Sequence, residues 1–198
     1  MSITKIVITG GPCAGKTTGM NLLENAFGKL GYRVLFVSET ATELINGGVA
    51  PWNCRSNVDF QLFLTELQLK KEEIFLRAAE GMPEEKILIV CDRGIMDNRA
   101  YMSEEEFRIL LDTLHLDVPG ICDRYDAVFH LVTAARGAEE FYTLANNKAR
   151  TETPEEARLL DDRLIAAWSV HPRLCVIGNG EGFDSKMRRL ISEIEALL

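Results

Sequence analysis

Residues Gly10 to Thr18 read Gly-Gly-Pro-Cys-Ala-Gly-Lys-Thr-Thr, and the spacing Gly10-x-x-x-x-Gly15-Lys16-Thr17 within them is that of a phosphate-binding loop. Glycine at such positions lets the backbone curl until successive N–H groups converge on phosphate oxygens. The expected nucleotide contacts are therefore Gly10, Gly11, Pro12, Cys13, Ala14, Gly15, Lys16, Thr17 and Thr18. Among them Lys16 supplies a mobile positive charge for the β- and γ-phosphates, and the Thr17 hydroxyl is a ligand for Mg²⁺. The flanks agree with this reading. Before the loop, Lys5-Ile-Val-Ile-Thr9 is a β-branched run typical of a buried strand. After it, Met20, Leu23, Phe27 and Leu30 recur at helical spacing until Gly31 stops them. A helix that opens at the loop turns its N-terminal amides and positive dipole end toward an anion. Strand, loop and helix together specify a binder of a nucleoside triphosphate.

The rest of the 198-residue chain is consistent with one α/β domain spanning residues 1–198. Hydrophobic residues make up 46% and charged residues 26%, ordinary values for a chain that buries a core. A formal net charge of −8 argues against nucleic acid or an anionic membrane as a partner. No apolar run approaches the ~18 residues of a membrane span, and Met1 leads straight into the first strand without room for a signal peptide. Cys13, Cys54, Cys91, Cys122 and Cys175 form no Cys-x-x-Cys pair, and Cys91 and Cys175 fall in expected core strands. A reducing, cytoplasmic setting is expected. No motif speaks to oligomeric state.

Strand and helix patterns alternate along the chain, which predicts a five-stranded parallel sheet with helices on both faces, the three-layer α/β P-loop fold. The second strand is Arg33 to Ser38, followed by Glu39 and a short helix through Ile45. Gly47, Gly48 and Pro51 make a loop that carries Trp52. A long helix from about Val58 to Gly81 shows an apolar stripe of Phe60, Phe63, Leu64, Leu67, Ile74, Phe75 and Ala78. Gln61, Thr65, Gln68 and Glu72 line its adjoining face. Ile87 to Cys91 is the most continuously apolar strand and is expected at the centre of the sheet. Ser103 to Glu106 is a capping box opening a helix with Phe107, Leu110, Leu111 and Leu114 inward. Ala127 to Val132 is the fourth strand. A segment of about 133–170 reads as lid-like: its first part lacks periodicity, and a second capping box, Thr153 to Glu156, opens its helix. Leu174 to Ile177 is the fifth strand, and Asp184 is expected to cap the last helix.

Several side chains then acquire candidate roles. Asp92, at the end of an apolar strand, is placed to hold Mg²⁺ directly or through water. Arg93 follows it, where a water-activating motor would carry Glu; this Asp-Arg pair resembles that of the small nucleoside and nucleotide kinases, which implies that Arg93 lies near the transferred phosphate or the substrate. Glu39 ends the second strand at the carboxyl edge of the sheet, where ligands of open α/β folds gather. There it accepts a proton from a substrate hydroxyl or, equally, caps the next helix. Arg150 is the lid cation expected to close on the γ-phosphate, whereas Arg158 and Arg163 read as surface ion pairs. Gln61 and Gln68 face a substrate, with Trp52 stacking on it, unless they form an ordinary polar helix face. Asn179, after the last strand, belongs to an adenine-side loop or a plain turn. ATP is expected ahead of GTP, because Asn147-Lys-Ala-Arg150 puts a cation where a guanine-reading element carries its carboxylate.

The Gly10–Thr18 loop, Glu39-Thr-Ala-Thr-Glu43, Cys91-Asp-Arg-Gly94 and the stretch from Asn147 to Asn179 resemble the compact AAA-domain, kinase-like P-loop family. That family takes in proteins similar to the TRPL translocation defect protein and to nicotinamide riboside kinases. The resemblance extends over nearly the whole chain through Arg150-Thr-Glu152, Glu155-Glu-Ala157, Leu160-Asp161, Trp168 and His171-Pro172. It implies a P-loop kinase-type fold and binding of ATP or GTP. Two functions follow. One is Mg²⁺-dependent transfer of the γ-phosphate to a small hydroxylated metabolite. The other is a nucleotide-dependent regulatory protein, a slow ATPase or GTPase switch without such an acceptor.

Overall fold

The computed structural model describes residues 1–141, 153–180 and 182–198. Five strands, β1 (Ser2–Thr9), β2 (Arg33–Val37), β3 (Lys86–Asp92), β4 (Ala127–Leu131) and β5 (Leu174–Ile177), form one sheet in the order β2-β3-β1-β4-β5. Every pairing is parallel. The centre is thus β1, hydrogen-bonded to β3 on one side and β4 on the other, and not β3 as its apolar sequence suggested. Continuous hydrophobicity reports burial on both faces, which β1 and β3 share; it does not rank strands within the sheet.

Alternation along each strand divides the core. Ile6, Ile8, Leu88, Val90, Phe129 and Leu131 pack against Leu23 and Phe27 of α1 (Lys16–Lys29) and Met187, Leu190 and Ile194 of α7 (Phe183–Glu195). Val7, Ile87, Ile89, Cys91 and Val128 face the other layer. That layer contains α3 (Asn57–Glu80), α4 (Glu104–Leu114), α5 (Val118–Cys122) and α6 (Pro154–Trp168). A short α2 (Thr40–Asn46) follows β2, and a 3₁₀ turn covers Ile95–Tyr101. The two capping boxes form: Ser103 Oγ accepts from Glu106 N at 3.3 Å, and Thr153 Oγ1 from Glu156 N at 3.2 Å. The last helix differs from expectation. Gly182, with φ of 88°, is its N-cap, and Asp184 lies in the first turn without capping it.

α3 is rotated from the orientation its stripe implied. Phe60 and Leu64 are buried and Phe75 half-buried, but Phe63, Leu67, Ile74 and Ala78 are exposed. The buried face is the polar one, Gln61, Thr65, Gln68 and Glu72. These groups tolerate burial because they find partners. Glu72, with no exposed surface, accepts from Lys5 Nζ at 3.1 Å and Tyr125 Oη at 2.7 Å, and Arg124 lies at 3.4 Å. Cys175, expected in a core strand, is half-buried on β5 at the sheet edge.

Candidate active site

Because all strands run the same way, their carboxyl ends open on one edge. Ile8 pairs with Asp92 and Val37 with Cys91, so the residues after β1, β2 and β3 emerge side by side. The loop after β1 takes a backbone path open to few side chains. Gly10 has φ of 147°, and a Cβ there would stand 2.1 Å from Leu131 O. Gly15 has φ of 88°, and its Cβ would meet Phe183 Cε2 at 2.5 Å. Lys16 Nζ folds back onto Gly10 O at 3.3 Å, and Thr17 and Thr18 are exposed at the start of α1. Burial and the neighbouring Arg93 lower the Lys16 pKa, against the opposing pull of Asp92 and Glu39.

Two groups to which the sequence assigned no role in the site, Asp161 and Thr133, hold this loop from behind. Asp161 Oδ1, on α6, accepts from Gly11 N at 2.9 Å, from Thr133 N at 3.2 Å, and lies 3.0 Å from His130 Nε2. Thr133 Oγ1 donates to Pro12 O at 2.5 Å. On the other flank Lys186 Nζ donates to Ala14 O at 3.0 Å, Val132 O at 2.6 Å and Asn179 Oδ1 at 2.8 Å. Asn179 in turn gives its Nδ2 to Thr133 O and Arg136 O, both at 2.8 Å. Burial lowers the Lys186 pKa to about 8 although Asp161 pulls the other way.

At the ends of β2 and β3 the charges interlock. Glu39 occupies the N-cap position of α2, but its side chain caps no backbone amide. Its carboxylate instead accepts from Arg93 Nε and, at 2.6 Å, from Thr42 Oγ1. Burial would raise its pKa; Arg93, Lys16 and these hydrogen bonds more than offset that and leave it at about 2. Arg93 has φ of 72°, and its second guanidinium contact is Asp97 Oδ1 at 3.3 Å. Asp97 is fully committed: Thr9 Oγ1, Gly94 N (2.9 Å) and Trp168 Nε1 (2.9 Å) all donate to it. Asp92 is different. Its Oδ1 is buried without a hydrogen-bond partner among the described residues, and burial raises its pKa. A hard oxygen ligand left unsatisfied beside the phosphate loop suits a divalent cation, so Asp92 and Thr17 fit Mg²⁺.

Two cavities meet at Lys16 and Thr17. One, of about 710 Å³, runs from Cys13–Thr18 to Asn179, Phe183 and Lys186. The other, of about 590 Å³, is bounded by Glu39, Asp92, Arg93, Asp97, Asn98, Gln61, Gln68, Phe60, Leu64 and Tyr101. The structure therefore gathers Lys16, Thr17, Glu39, Asp92, Arg93, Gln61 and Gln68 around one space and puts Asn179 on the far side of the loop. Trp52 is not brought in: it is 74% exposed, and its neighbour Pro51 lines the cavity instead. Arg150 and Asn147 lie outside the described residues. Arg158 pairs with Glu155 at 3.3 Å and donates to Ala135 O at 2.7 Å, while Asp162 pairs with Arg136 at 2.8 Å. Asp97, Asn98, Asp161 and Lys186 sit on turns or helices whose local pattern is ordinary, and only strand pairing brings them to the loop.

A family model described as AAA domain matches residues 5–184, from within β1 to the first turn of α7. None of the curated proteins matches the chain. The loop geometry, the parallel sheet and this match agree on a nucleotide-binding protein, and the chain belongs to the AAA-domain family of P-loop NTPases.

Proposed function

We propose that the protein transfers the γ-phosphate of ATP to a hydroxyl of a small metabolite. The observation that carries this is the pair of cavities joined at Lys16 and Thr17: a switch needs room for a nucleotide, whereas phosphotransfer needs a second, adjoining space. In this reading the phosphate loop and Asn179 hold the nucleotide and Lys16 reaches its β- and γ-phosphates. Thr17 and Asp92 would hold Mg²⁺, which supplies charge neutralisation on the phosphate oxygens. Glu39 receives the acceptor hydroxyl across from Lys16. With a pKa of about 2 it is a weak base, so its principal work is to orient that hydroxyl, in keeping with a loose transition state in which proton loss comes late. The acceptor oxygen bonds to the γ-phosphorus, the bond to the β–γ bridging oxygen breaks, and ADP leaves with that electron pair. The hydroxyl proton passes by way of Glu39 to water. Arg150 would add positive charge from the lid-like segment of about 133–170.

The test is phosphate accounting. MgATP is incubated with a panel of hydroxylated metabolites, and phosphoryl product is measured beside free phosphate. Transfer to a metabolite supports the proposal. Phosphate release indifferent to every candidate sinks it and leaves a nucleotide-dependent binding protein.

A further inference from the structure

The cavity of about 710 Å³ on the Asn179 side of the phosphate loop has two ends of different chemistry. Cys13 to Thr18 form one end, where backbone amides, Lys16 and two hydroxyls suit phosphate. Beyond the loop the polar side chains are engaged with the protein itself. Lys186 directs its three N–H groups to Ala14 O, Val132 O and Asn179 Oδ1. Asn179 gives both amide protons to backbone carbonyls, Thr133 O and Arg136 O. Glu140, which is exposed, is the one acidic side chain of this lining among the described residues. Ala134, Gly137 and Ala138 add little more than backbone and methyl groups. Such a wall suits a flat, largely apolar group better than a charged one.

Phe183 is the one aromatic side chain of that lining among the described residues. It is the first residue of α7, and Met187, Leu190 and Ile194 follow it on the same face at helical spacing. Those three are buried in the core, whereas Phe183, one turn beyond them, is 40% exposed. Its placement is fixed from two sides. Lys186 pins the first turn of α7 to the phosphate loop at Ala14 O. Gly15 supplies the room: a Cβ there would stand 2.5 Å from Phe183 Cε2, 3.3 Å from Cζ and 3.6 Å from Cδ2. One edge of the ring therefore rests on Gly15, next to Lys16, and the exposed remainder lines the cavity. An isolated exposed phenylalanine needs no partner. One seated against a phosphate loop, in a cavity of ligand size, meets the base of any nucleotide whose phosphates lie in that loop.

We propose that Phe183 is the platform for the base of the bound nucleotide, which stacks on the exposed part of its ring while the triphosphate lies in the loop. The proposal rests on the nucleotide half of the reading above and names the residue that holds the base. Every nucleobase has a π-face, so this contact adds affinity without choosing among bases. It leaves the ranking of ATP over GTP to contacts at the base edge.

Phe183→Leu keeps an apolar side chain against Gly15 but removes the π-system, and Phe183→Trp restores one. Binding of MgATP, MgGTP and magnesium tripolyphosphate to the full chain is measured by calorimetry for the wild type and both variants. Phe183→Leu should weaken MgATP and MgGTP at least about tenfold each, by the loss of one base–aromatic stack, and leave tripolyphosphate within about twofold. Phe183→Trp should bind both nucleotides as the wild type does. Its indole emission, read over the wild-type signal of Trp52 and Trp168, should be quenched by MgATP and not by tripolyphosphate. The platform is overturned if Phe183→Leu binds MgATP as the wild type does, or loses tripolyphosphate as strongly as MgATP. The ring would then serve only to shape the loop at Gly15. Where tripolyphosphate binds too weakly to measure, the indole decides: emission unchanged by MgATP overturns the proposal, and quenching upholds it. In each of these outcomes nucleotide binding and phosphotransfer stand. A wild type that binds neither nucleotide removes the nucleotide reading together with the platform.

Discussion

Glu39 accepts from two side chains and caps no backbone amide, so its replacement separates chemistry from packing. Glu39→Gln keeps the size and one acceptor but removes the charge that holds Arg93 and that, in the proposed reaction, would orient a hydroxyl. General-base assistance is worth about 10²–10⁴-fold, and the low basicity here points to the lower end, so turnover should fall about 100-fold. Nucleotide affinity should change little, because the phosphate loop is untouched. Turnover retained beside a lowered melting temperature would refute the catalytic placement. A pH effect accompanies it. The folded pKa of about 2 lies below the unfolded value, so the charge stabilises the fold above about pH 4.5, and that stabilisation is lost as pH falls toward 2. The stability difference between wild type and Glu39→Gln should therefore shrink across that window, as acid titration followed by circular dichroism would record.

Among the elements, α3 and α7 offer sharp tests. On α3, Leu64 is buried and Phe63 exposed, the reverse of equal membership in one stripe. Leu64→Ala should cost about 2–5 kcal/mol and Phe63→Ser less than about 0.5 kcal/mol by denaturant unfolding. Comparable losses would mean that the helix is rotated from the orientation described. On α7, Lys186 secures Ala14, Val132 and Asn179, joining the phosphate loop to β4 and to the turn after β5. Lys186→Met should cost about 2 kcal/mol, since unmade hydrogen bonds to buried acceptors cost about 1–3 kcal/mol. It should also weaken ATP binding. Burial holds the Lys186 pKa at about 8, below the unfolded 10.5, so the unfolded chain binds more protons between those values. Wild-type stability relative to Lys186→Met should accordingly rise from pH 8 to 10.5. A difference that stays flat or falls over this range would show that Lys186 does not titrate as its burial requires.

At the scale of the whole molecule, nucleotide binding is linked to folding. A ligand at about 100 times its dissociation constant adds about 2.7 kcal/mol to the native state. For a chain of this size that corresponds to a rise of about 5–10 °C in melting temperature with MgATP. Lys16→Ala should remove most of the rise, and a competition titration should rank ATP ahead of GTP. Melting curves indifferent to both nucleotides would contradict the family's defining property. Among the described residues no helix is long and apolar enough to cross a membrane.

The phosphate loop, the alternation of strand and helix and the two capping boxes were legible in the sequence because each depends on neighbours within a few residues. Gly10 and Gly15 are needed for backbone angles, Lys16 and Thr17 for contacts counted along the chain, and Ser103 and Thr153 for bonds made three residues on. Asp92 and Arg93 could be placed for the same reason, as the residues at the end of a strand. What tertiary structure alone decided lies across the chain. Strand order put β1 at the centre, because hydrogen-bonding partners and not hydrophobicity rank a sheet. The rotation of α3 depends on Lys5, Asn98 and Tyr125, which satisfy a polar face that would otherwise turn to water. Asp161 reaches Gly11 across 150 residues and Lys186 reaches Ala14 across 172, pairings that only a parallel sheet with aligned carboxyl ends can make. The locking of Glu39 onto Arg93 has the same origin: two strand ends that are remote in sequence lie side by side, and opposite charges at that edge find one another.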